Sequence, residues 1–273
     1  MMASVCAIGW KAHAALARTA GRWVALPGFA GSAYRVAGGE PIWIGAGDVA
    51  MHPRAVVLDA LANHAGHLRM DDITPWRLAP LLLDRGALQR LRAGGIALAA
   101  QLPRIGVPQG FAALLAGLRP AFPFDRVAPN VAALAHAIDD DDADAAYAAA
   151  LPLLGLGPGL TPSGDDFVGA VLYARRLFGL TAGWTAAALR LIDAAQTRTH
   201  AISAALFRDL SEGQSFASLH RLAAALATRE SALAAARDVA AIGHSSGWDM
   251  LAGFIIGAAG SAALRINTNE AEG

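Results

Sequence analysis

The pattern of hydrophobic and polar positions changes near residue 105 of the 273-residue chain. Before that point, short runs rich in β-branched and aromatic residues are separated by glycine- and proline-containing segments such as PGFAG, AGGEP and GAGD. This pattern is typical of short antiparallel strands joined by turns. Strands are predicted at residues 23–26, 32–36, 42–44, 55–58 and 96–98, with one helix near residues 80–91.

Beyond residue 105, alanine and leucine dominate, and both residues favour helices. We therefore predict an α+β fold, with a β-rich part at residues 1–105 and a mostly helical part at residues 106–273. Whether the two parts pack as one unit stays open. Helices are predicted at residues 111–118, 131–137, 143–154, 165–178, 184–210, 218–227, 230–242 and 249–264. The acidic run at 139–144 is interpreted as a solvated loop with a helix N-cap rather than a metal site.

Composition narrows the class of partner. Apolar residues make up 55% of the chain and charged residues 16%, which is typical of a globular protein. Because basic and acidic residues both number 22, no nucleic-acid partner is expected. The most apolar run, 250–264, is too short to span a bilayer, so no membrane association is expected. Cys6 is the single cysteine and no signal-peptide pattern is found at the start, which predicts a cytoplasmic location.

A glycine-rich loop at 155–166, GLGPGLTPSGDD, is the strongest candidate site. Glycine permits backbone angles closed to other residues and allows a ligand to approach closely, which favours roles for Gly157 and Gly159. Ser163 is predicted as the N-cap of the following helix, and free N–H groups at a helix start bind anions. The same Ser-x-x-Asp spacing also stabilises helix starts without any ligand.

Asp165 and Asp166 limit the chemistry of this loop, since two ionised carboxylates repel a bare anion. Three arrangements would resolve the conflict. Mg²⁺ could bind Asp165, Asp166 and an anion together, or an arginine could be held by one aspartate. Alternatively, one aspartate could accept hydrogen bonds from a substrate NH₂ group. The residues alone leave these three arrangements open.

A second loop at 243–249 repeats part of the first. Ser246-Gly247-Trp248-Asp249 echoes Ser163-Gly164-Asp165-Asp166, and an apolar, small-residue helix follows each motif. His244 is the best candidate for a general acid or base because it lies in a glycine-flanked polar turn. A helix-capping or core histidine is an equally good interpretation. Trp248 could form a wall of a ligand pocket or belong to the core.

Weaker candidates lie elsewhere in the chain. A histidine metal site at His52, His64 and His67 lacks a matching carboxylate spacing, so exposed histidines are the better interpretation. A polar cluster within the predicted helix at 184–210 could line a cleft or face water, and two polar residues of the LPRIGVPQG loop could reach an anion. These last two groups comprise Thr197, Thr199, His200 and Ser203, and Arg104 and Gln109, respectively.

The segments GLGPGLTPSGDDFVGAVL and IGHSSGWDMLAGFIIG resemble the two signature stretches of a bacterial family long described as a domain of unknown function. Some members of that family are a subunit of oxamate carbamoyltransferase, a heteromeric enzyme of allantoin and purine breakdown. That enzyme converts oxalurate and phosphate into oxamate and carbamoyl phosphate. The resemblance rests on the two motifs, and the N-terminal third adds little to it.

The resemblance implies a transferase context and places nine residues in signature positions, without deciding whether this chain is itself catalytic. As a hypothesis, Ser163 and the loop amides bind the anion, Asp165 or Asp166 orients an amide, and His244 assists proton transfer. A non-catalytic scaffold subunit and a stand-alone Mg²⁺-dependent enzyme remain the alternatives. The signature positions are Thr161, Ser163, Gly164, Asp165, Asp166, His244, Ser246, Gly247 and Asp249.

Overall fold

A computed structural model describes residues 4–26, 33–47, 49–60, 66–70, 72–119, 122–228 and 230–264. The chain separates into two compact units, residues 1–79 with 214–217 and residues 80–213 with 218–273. The predicted α+β class is confirmed, because the strands lie in the N-terminal part and most helices lie in the C-terminal part. None of the described helices is both long enough and apolar enough to cross a membrane.

The first unit contains a five-stranded sheet of order β1-β5-β4-β3-β2. The parallel pairing of β4 with β5 makes the sheet mixed, whereas the other three pairs are antiparallel as predicted. Apolar residues of α1, including Leu16, pack with Ile42 and Val56 of the sheet. The elements are β1 (Val5–Ile8), α1 (Trp10–Arg18), β2 (Val24–Ala25), β3 (Tyr34–Ala37), β4 (Glu40–Ala46) and β5 (Ala55–Leu58).

Four of the five predicted strands are present, three with shifted ends and β5 with the predicted ends, and the fifth prediction is wrong. Residues 96–98 belong to a helix, because the alanine- and leucine-rich sequence around them continues a helical turn that starts at Arg85. The AGGE segment forms the β3–β4 hairpin turn, with Gly38 and Gly39 both at positive φ. A two-residue hairpin turn of this hand requires those angles. β1 and α1 were not predicted.

Helices build the second unit. They are α2 (Arg85–Ala99), α3 (Leu102–Ile105), α4 (Gly110–Leu115), α5 (Ala128–Asp139), α6 (Ala143–Ala150), α7 (Ser163–Leu177), α8 (Ala182–Arg198), α9 (Ala201–Ser211), α10 (Ala217–Thr228), α11 (Ala232–Ala240) and α12 (Ser246–Ala259). Short 3₁₀ helices occupy Phe124–Arg126, Leu151–Leu153 and Gly260–Ala263. The single long helix predicted at 184–210 is wrong, since Thr199 and His200 separate α8 from α9.

The acidic run at 139–144 includes an exposed turn between α5 and α6 that ends in a helix N-cap, as predicted, and its aspartates also make contacts. Asp142 is the N-cap of α6, as predicted, and accepts from the N–H groups of Asp144 and Ala145. Asp141 binds Arg175 at 2.9 Å and the Trp184 indole N–H at 2.7 Å. The aspartates of this run therefore connect α5 and α6 to neighbouring helices.

The closely packed pair α7 and α12 lies at the centre of the second unit. Every residue of α12 from Gly247 to Ala259 is buried, as is α7 from Ser163 to Ala174, which is typical of helices surrounded by protein. A Cβ at Gly253 would lie 2.0 Å from the Phe167 carbonyl oxygen, and one at Gly257 would lie 2.7 Å from that of Val171. The predicted close packing of these two helices within one chain is thus confirmed.

Replacing Gly253 should separate the central helices. We expect Gly253→Ala to lower the free energy of unfolding by about 2 kcal/mol or more, since overpacking against backbone cannot be relieved by a rotamer change. Gly95→Ala is the matched control, because a Cβ there meets only ordinary contacts at 3.7 Å. It should gain about 0.5–1 kcal/mol from helix propensity. Urea unfolding of the two variants and the parent measures both effects, and equal stabilities would contradict the packing.

Candidate functional site

The two Ser-Gly-x-Asp motifs form the first turns of α7 and α12. Ser163 was predicted as an N-cap, but it is the first helical residue and Pro162 occupies the cap position. The Pro162 carbonyl accepts from the N–H groups of Asp165 at 2.9 Å and Asp166 at 3.3 Å. Because that backbone carbonyl begins the helix, the Ser163 hydroxyl remains available for contacts outside its own helix.

The serines and aspartates of the two motifs interact crosswise. Hydrogen bonding by the Ser246 side chain acts on the Asp166 carboxyl, and hydrogen bonding by the Ser163 side chain acts on Asp249. A further contact joins the Thr161 hydroxyl to the Ser246 hydroxyl at 3.1 Å. The helix starts that the sequence placed 83 positions apart, at Ser163 and Ser246, therefore share one site.

Asp249 is completely buried at this site. One carboxylate oxygen, Oδ1, accepts from the Phe111 N–H at 2.8 Å. Burial raises the pKa of Asp249 to about 7, although hydrogen bonds from Phe111, Ser163 and Ser245 oppose the rise. Its other oxygen, Oδ2, has no hydrogen-bond partner among the described residues.

Asp166 is the second buried carboxyl, with 5% of its surface exposed. Burial raises its pKa well above the ordinary value; hydrogen bonding from Ser246 opposes the rise, and the charges of Asp249 and Asp165 add to it. Asp166 Oδ2 also lacks a hydrogen-bond partner within the described part of the chain. Buried polar atoms without partners are rare in folded proteins, and both of these helix starts carry one on a carboxyl.

Asp165 differs from its neighbour because both of its oxygens are engaged. Oδ1 accepts from the Gly155 N–H at 2.8 Å, and Oδ2 accepts from the hydroxyls of Thr199 and, at 2.6 Å, Ser203. Burial raises the pKa of Asp165, and these three hydrogen bonds oppose the rise. The carboxylate connects the glycine-rich loop to the junction of α8 and α9, so its geometry is that of a positioning residue.

The glycine-rich loop presents backbone N–H groups to solvent or to a ligand. Gly157 and Gly159 have φ angles of 110° and 96°, which other residues avoid. Among the described residues, no acceptor is found for the N–H groups of Gly157, Gly159, Thr161 or Ser163. The N–H of Gly164 is bonded to Leu156 at 2.9 Å. The loop, rather than the first helical turn, therefore offers most of the donors for an anion.

The glycine of each motif is required because another segment of backbone passes close to it. A Cβ at Gly164 would lie 1.8 Å from the Leu153 carbonyl oxygen, and one at Gly247 would lie 1.9 Å from that of Val239. In each motif the glycine therefore lets the preceding segment cross the helix start. This shared geometry supports the interpretation of the two motifs as equivalent halves of one site.

His244 lies in the turn before α12 and is exposed. No hydrogen bond joins it to the buried carboxyls in the described structure, so its role in proton transfer stays a prediction. Trp248 is buried, with its ring 3.3 Å from the position that a Cβ would take on Gly106. The weaker candidates Arg104 and Gln109 lie on either side of Gly106 in the chain. The Arg104 carbonyl accepts a hydrogen bond from Arg237, and Gln109 is the N-cap of α4.

Metal-binding arrangements are sparse in the structure. Within the described ranges, no group of three or more His, Cys, Asp or Glu side chains could hold a metal ion. His52 is buried, and burial together with Arg54 lowers its pKa to about 3. The backbone of His67 forms an isolated antiparallel β-bridge with Arg22, and His64 lies outside the described residues. Mg²⁺ binding by Asp165 and Asp166 stays a prediction, with both oxygens of Asp165 already accepting hydrogen bonds.

Sequence reasoning missed several residues that shape the site. Gly110, at φ 52°, leaves room for Asp249, because a Cβ there would lie 2.0 Å from Asp249 Oδ1. The polar residues Thr199 and Ser203 were noticed but were not connected with Asp165. The sequence did contain one signal for the end of α8. Thr197, Thr199 and His200 are β-branched or capping residues, which favour a helix end over a continuous helix.

Residues 153–258 match the family model described as oxamate carbamoyltransferase subunit AllH. The matched range contains both motifs, all of α7 and nearly all of α12. The resemblance predicted from the two motifs is thus confirmed over these residues. No curated protein and no solved structure matched the chain.

Removing one donor to Asp165 should destabilise the loop anchor. We expect Ser203→Ala to lower the free energy of unfolding by about 1–3 kcal/mol, because a buried carboxylate then lacks a charge-assisted hydrogen bond. Ser211→Ala is the matched control on the same helix, since that buried hydroxyl bonds only the Phe207 carbonyl within its own helix. It should change stability by less than about 0.5 kcal/mol. Equal losses in urea unfolding would contradict the anchoring role.

Asp249→Asn should stabilise the fold at high pH. The carboxyl loses its proton near pH 3.8 in the unfolded chain and near pH 7 in the folded chain. Ionisation therefore costs folding free energy increasingly between those values, up to about 4 kcal/mol above pH 7. Asparagine keeps an acceptor for Phe111 and cannot ionise. After the cost of burying an amide is subtracted, we expect Asp249→Asn to raise the free energy of unfolding by about 2 kcal/mol at pH 8. This gain should fall to about zero by pH 5.

Unfolding of the variant and the parent at each pH measures this difference and cancels titrating groups that do not interact with Asp249, such as His52, while the titration of Asp166 contributes to it. Asp238→Asn serves as the control, because Asp238 is exposed and pairs with the exposed Arg221. It should show no such pH dependence. A loss of stability at pH 8 for Asp249→Asn would mean that the ionised carboxylate holds the helices together, as the scaffold interpretation requires.

Proposed function

We propose that this chain is a subunit of an oxamate carbamoyltransferase-type complex and that its 155–166 and 243–249 loops bind a small anionic metabolite. The family match over residues 153–258 supports the type of complex. The observation that carries the binding proposal is the pair of buried carboxyls, Asp166 and Asp249, each with one unpartnered oxygen. Such groups at the paired starts of α7 and α12 fit a ligand better than they fit a purely structural contact.

The arrangement suits a metabolite with two chemically different ends. Backbone N–H groups of the glycine-rich loop, with Ser163, would hold a phosphate or carboxylate. An ionised carboxylate at this pair repels an anion but accepts hydrogen bonds from an NH₂ group. Oxalurate, oxamate and carbamoyl phosphate each combine an anionic end with an NH₂ group on a carbonyl. The reaction supported best is therefore conversion of oxalurate and phosphate into oxamate and carbamoyl phosphate, carried out with partner subunits.

Asp165 takes a positioning role in this proposal. By fixing Gly155 and the α8–α9 junction, it sets the course of the loop that carries the anion-binding N–H groups. His244 remains a proposed proton carrier that would have to approach the ligand from the exposed side of the 243–249 loop. The two alternatives predict other results: a scaffold subunit tolerates changes at Asp249 without loss of turnover, and a Mg²⁺-dependent enzyme is stabilised against heat by Mg²⁺.

Carbamoyl phosphate formation by the complex reconstituted with Asp249→Asn tests the proposal. We expect kcat/KM to fall about 10- to 100-fold, because an acceptor for the substrate NH₂ group is replaced by a neutral amide. Asp238→Asn, which makes the same chemical change on the surface of α11, should leave the rate unchanged. Parent-like turnover with Asp249→Asn, in a complex that requires this subunit, would refute the binding role.

A further inference from the structure

Of the three buried carboxyls of the site, Asp166 and Asp249 each have an unpartnered oxygen, and their hydrogen-bond partners are unequal. Asp249 Oδ1 accepts at 2.8 Å from the Phe111 backbone N–H, a group that can only donate. Asp166 interacts with the hydroxyl of Ser246, which donates or accepts and which has Thr161 as a second hydroxyl partner. A carboxyl held by an obligate donor favours the ionised form, whereas one beside a hydroxyl can retain its proton.

Electrostatics oppose simultaneous ionisation of Asp166 and Asp249. Asp249 is fully buried, Asp166 is 5% exposed, and the charges of Asp249 and Asp165 both raise the pKa of Asp166. No ion pair to either carboxyl is found in the part of the chain that the structure describes. Two neighbouring buried carboxylates without a cation do not both ionise near neutral pH, as in carboxyl dyads that share one proton.

We propose that Asp166 carries this proton, that Asp249 is ionised, and that together they recognise a planar primary amide. Asp166 donates its carboxyl O–H to the carbonyl oxygen of the ligand, and Asp249 Oδ2 accepts from the ligand NH₂. The inference rests on the proposed function in placing a carbamoyl-type ligand here, and it assigns the two aspartates opposite roles.

The unpartnered oxygens explain why an amide fits and simpler ions do not. With one proton on the pair, the site offers one donor and one acceptor that the protein leaves unused. A second carboxylate in place of the amide brings no donor for Asp249 and is repelled by it. An ammonium ion brings no acceptor for Asp166. A group of the form –C(=O)NH₂ supplies an acceptor and a donor side by side.

Binding of three small probes to the full-length chain tests ligand selection. Isothermal titration calorimetry at pH 8, where Asp249 is mostly ionised, compares oxamate, which has a carboxylate and a primary amide, with oxalate and with N,N-dimethyloxamate. Oxalate replaces the amide with a carboxylate, and the dimethyl compound keeps the carbonyl but has no N–H. Oxamate should bind at least about 10-fold more tightly than either control, as expected for loss of a charge-assisted hydrogen bond.

Two isosteric variants then test the opposite roles. Asp166→Asn keeps a neutral donor at that position and should bind oxamate within about threefold of the parent. Asp249→Asn loses the acceptor and should bind about 10- to 100-fold more weakly. Circular dichroism at the same pH verifies that both variants are folded, and Asp238→Asn should bind as the parent does.

Three results would overturn the assignment: equal binding of oxamate and oxalate, the reverse order of the two variants, or no binding of any probe. The outcome is separable from that of the proposed function. If Asp249→Asn abolishes turnover but the chain does not select oxamate, the shared-proton pair is wrong and the proposed function stands. If oxamate is selected as expected while Asp249→Asn complexes turn over normally, the carbamoyl-transfer role is wrong.

Discussion

The backbones of α7 and α12 touch because Gly253 and Gly257 place no Cβ between them. This contact fixes the relative position of the two helices more tightly than apolar side chains could, since backbone atoms cannot change rotamer. It extends to the helix starts, where Ser163 and Ser246 reach across to Asp249 and Asp166. The site therefore depends on glycines one and more turns away from it, which bind nothing themselves.

Two opposing electrostatic effects meet at those helix starts. The positive ends of the helix dipoles favour negative charge there, while burial and the mutual repulsion of Asp166 and Asp249 oppose it. Burial prevails, as the raised pKa of each carboxyl shows. The protein thus tolerates a locally unfavourable arrangement, which is typical of functional sites.

The sequence predicted much of the fold class and the location of the candidate site. Glycine-rich punctuation located most strands, and the repeated Ser-Gly-x-Asp pattern located both helix starts. It could not locate the contact of Gly110 with Asp249, because the two residues lie far apart in the chain. Helix propensity favoured continuity through residues 184–210, whereas His200 caps α9 through the Ile202 N–H and Thr199 donates to Asp165.

The structure also separates two aspartates that the sequence treats as a pair. Within each Ser-Gly-x-Asp motif, the third and fourth positions lie about 100° apart around the helix, so they meet different surroundings. At the third position, Asp165 and Trp248 both contact neighbouring segments, one through hydrogen bonds and the other by packing on Gly106. At the fourth, Asp166 and Asp249 each keep a free oxygen. The pair of carboxyls with unpartnered oxygens is therefore formed between the motifs, whereas Asp165 of the first loop is fully hydrogen-bonded.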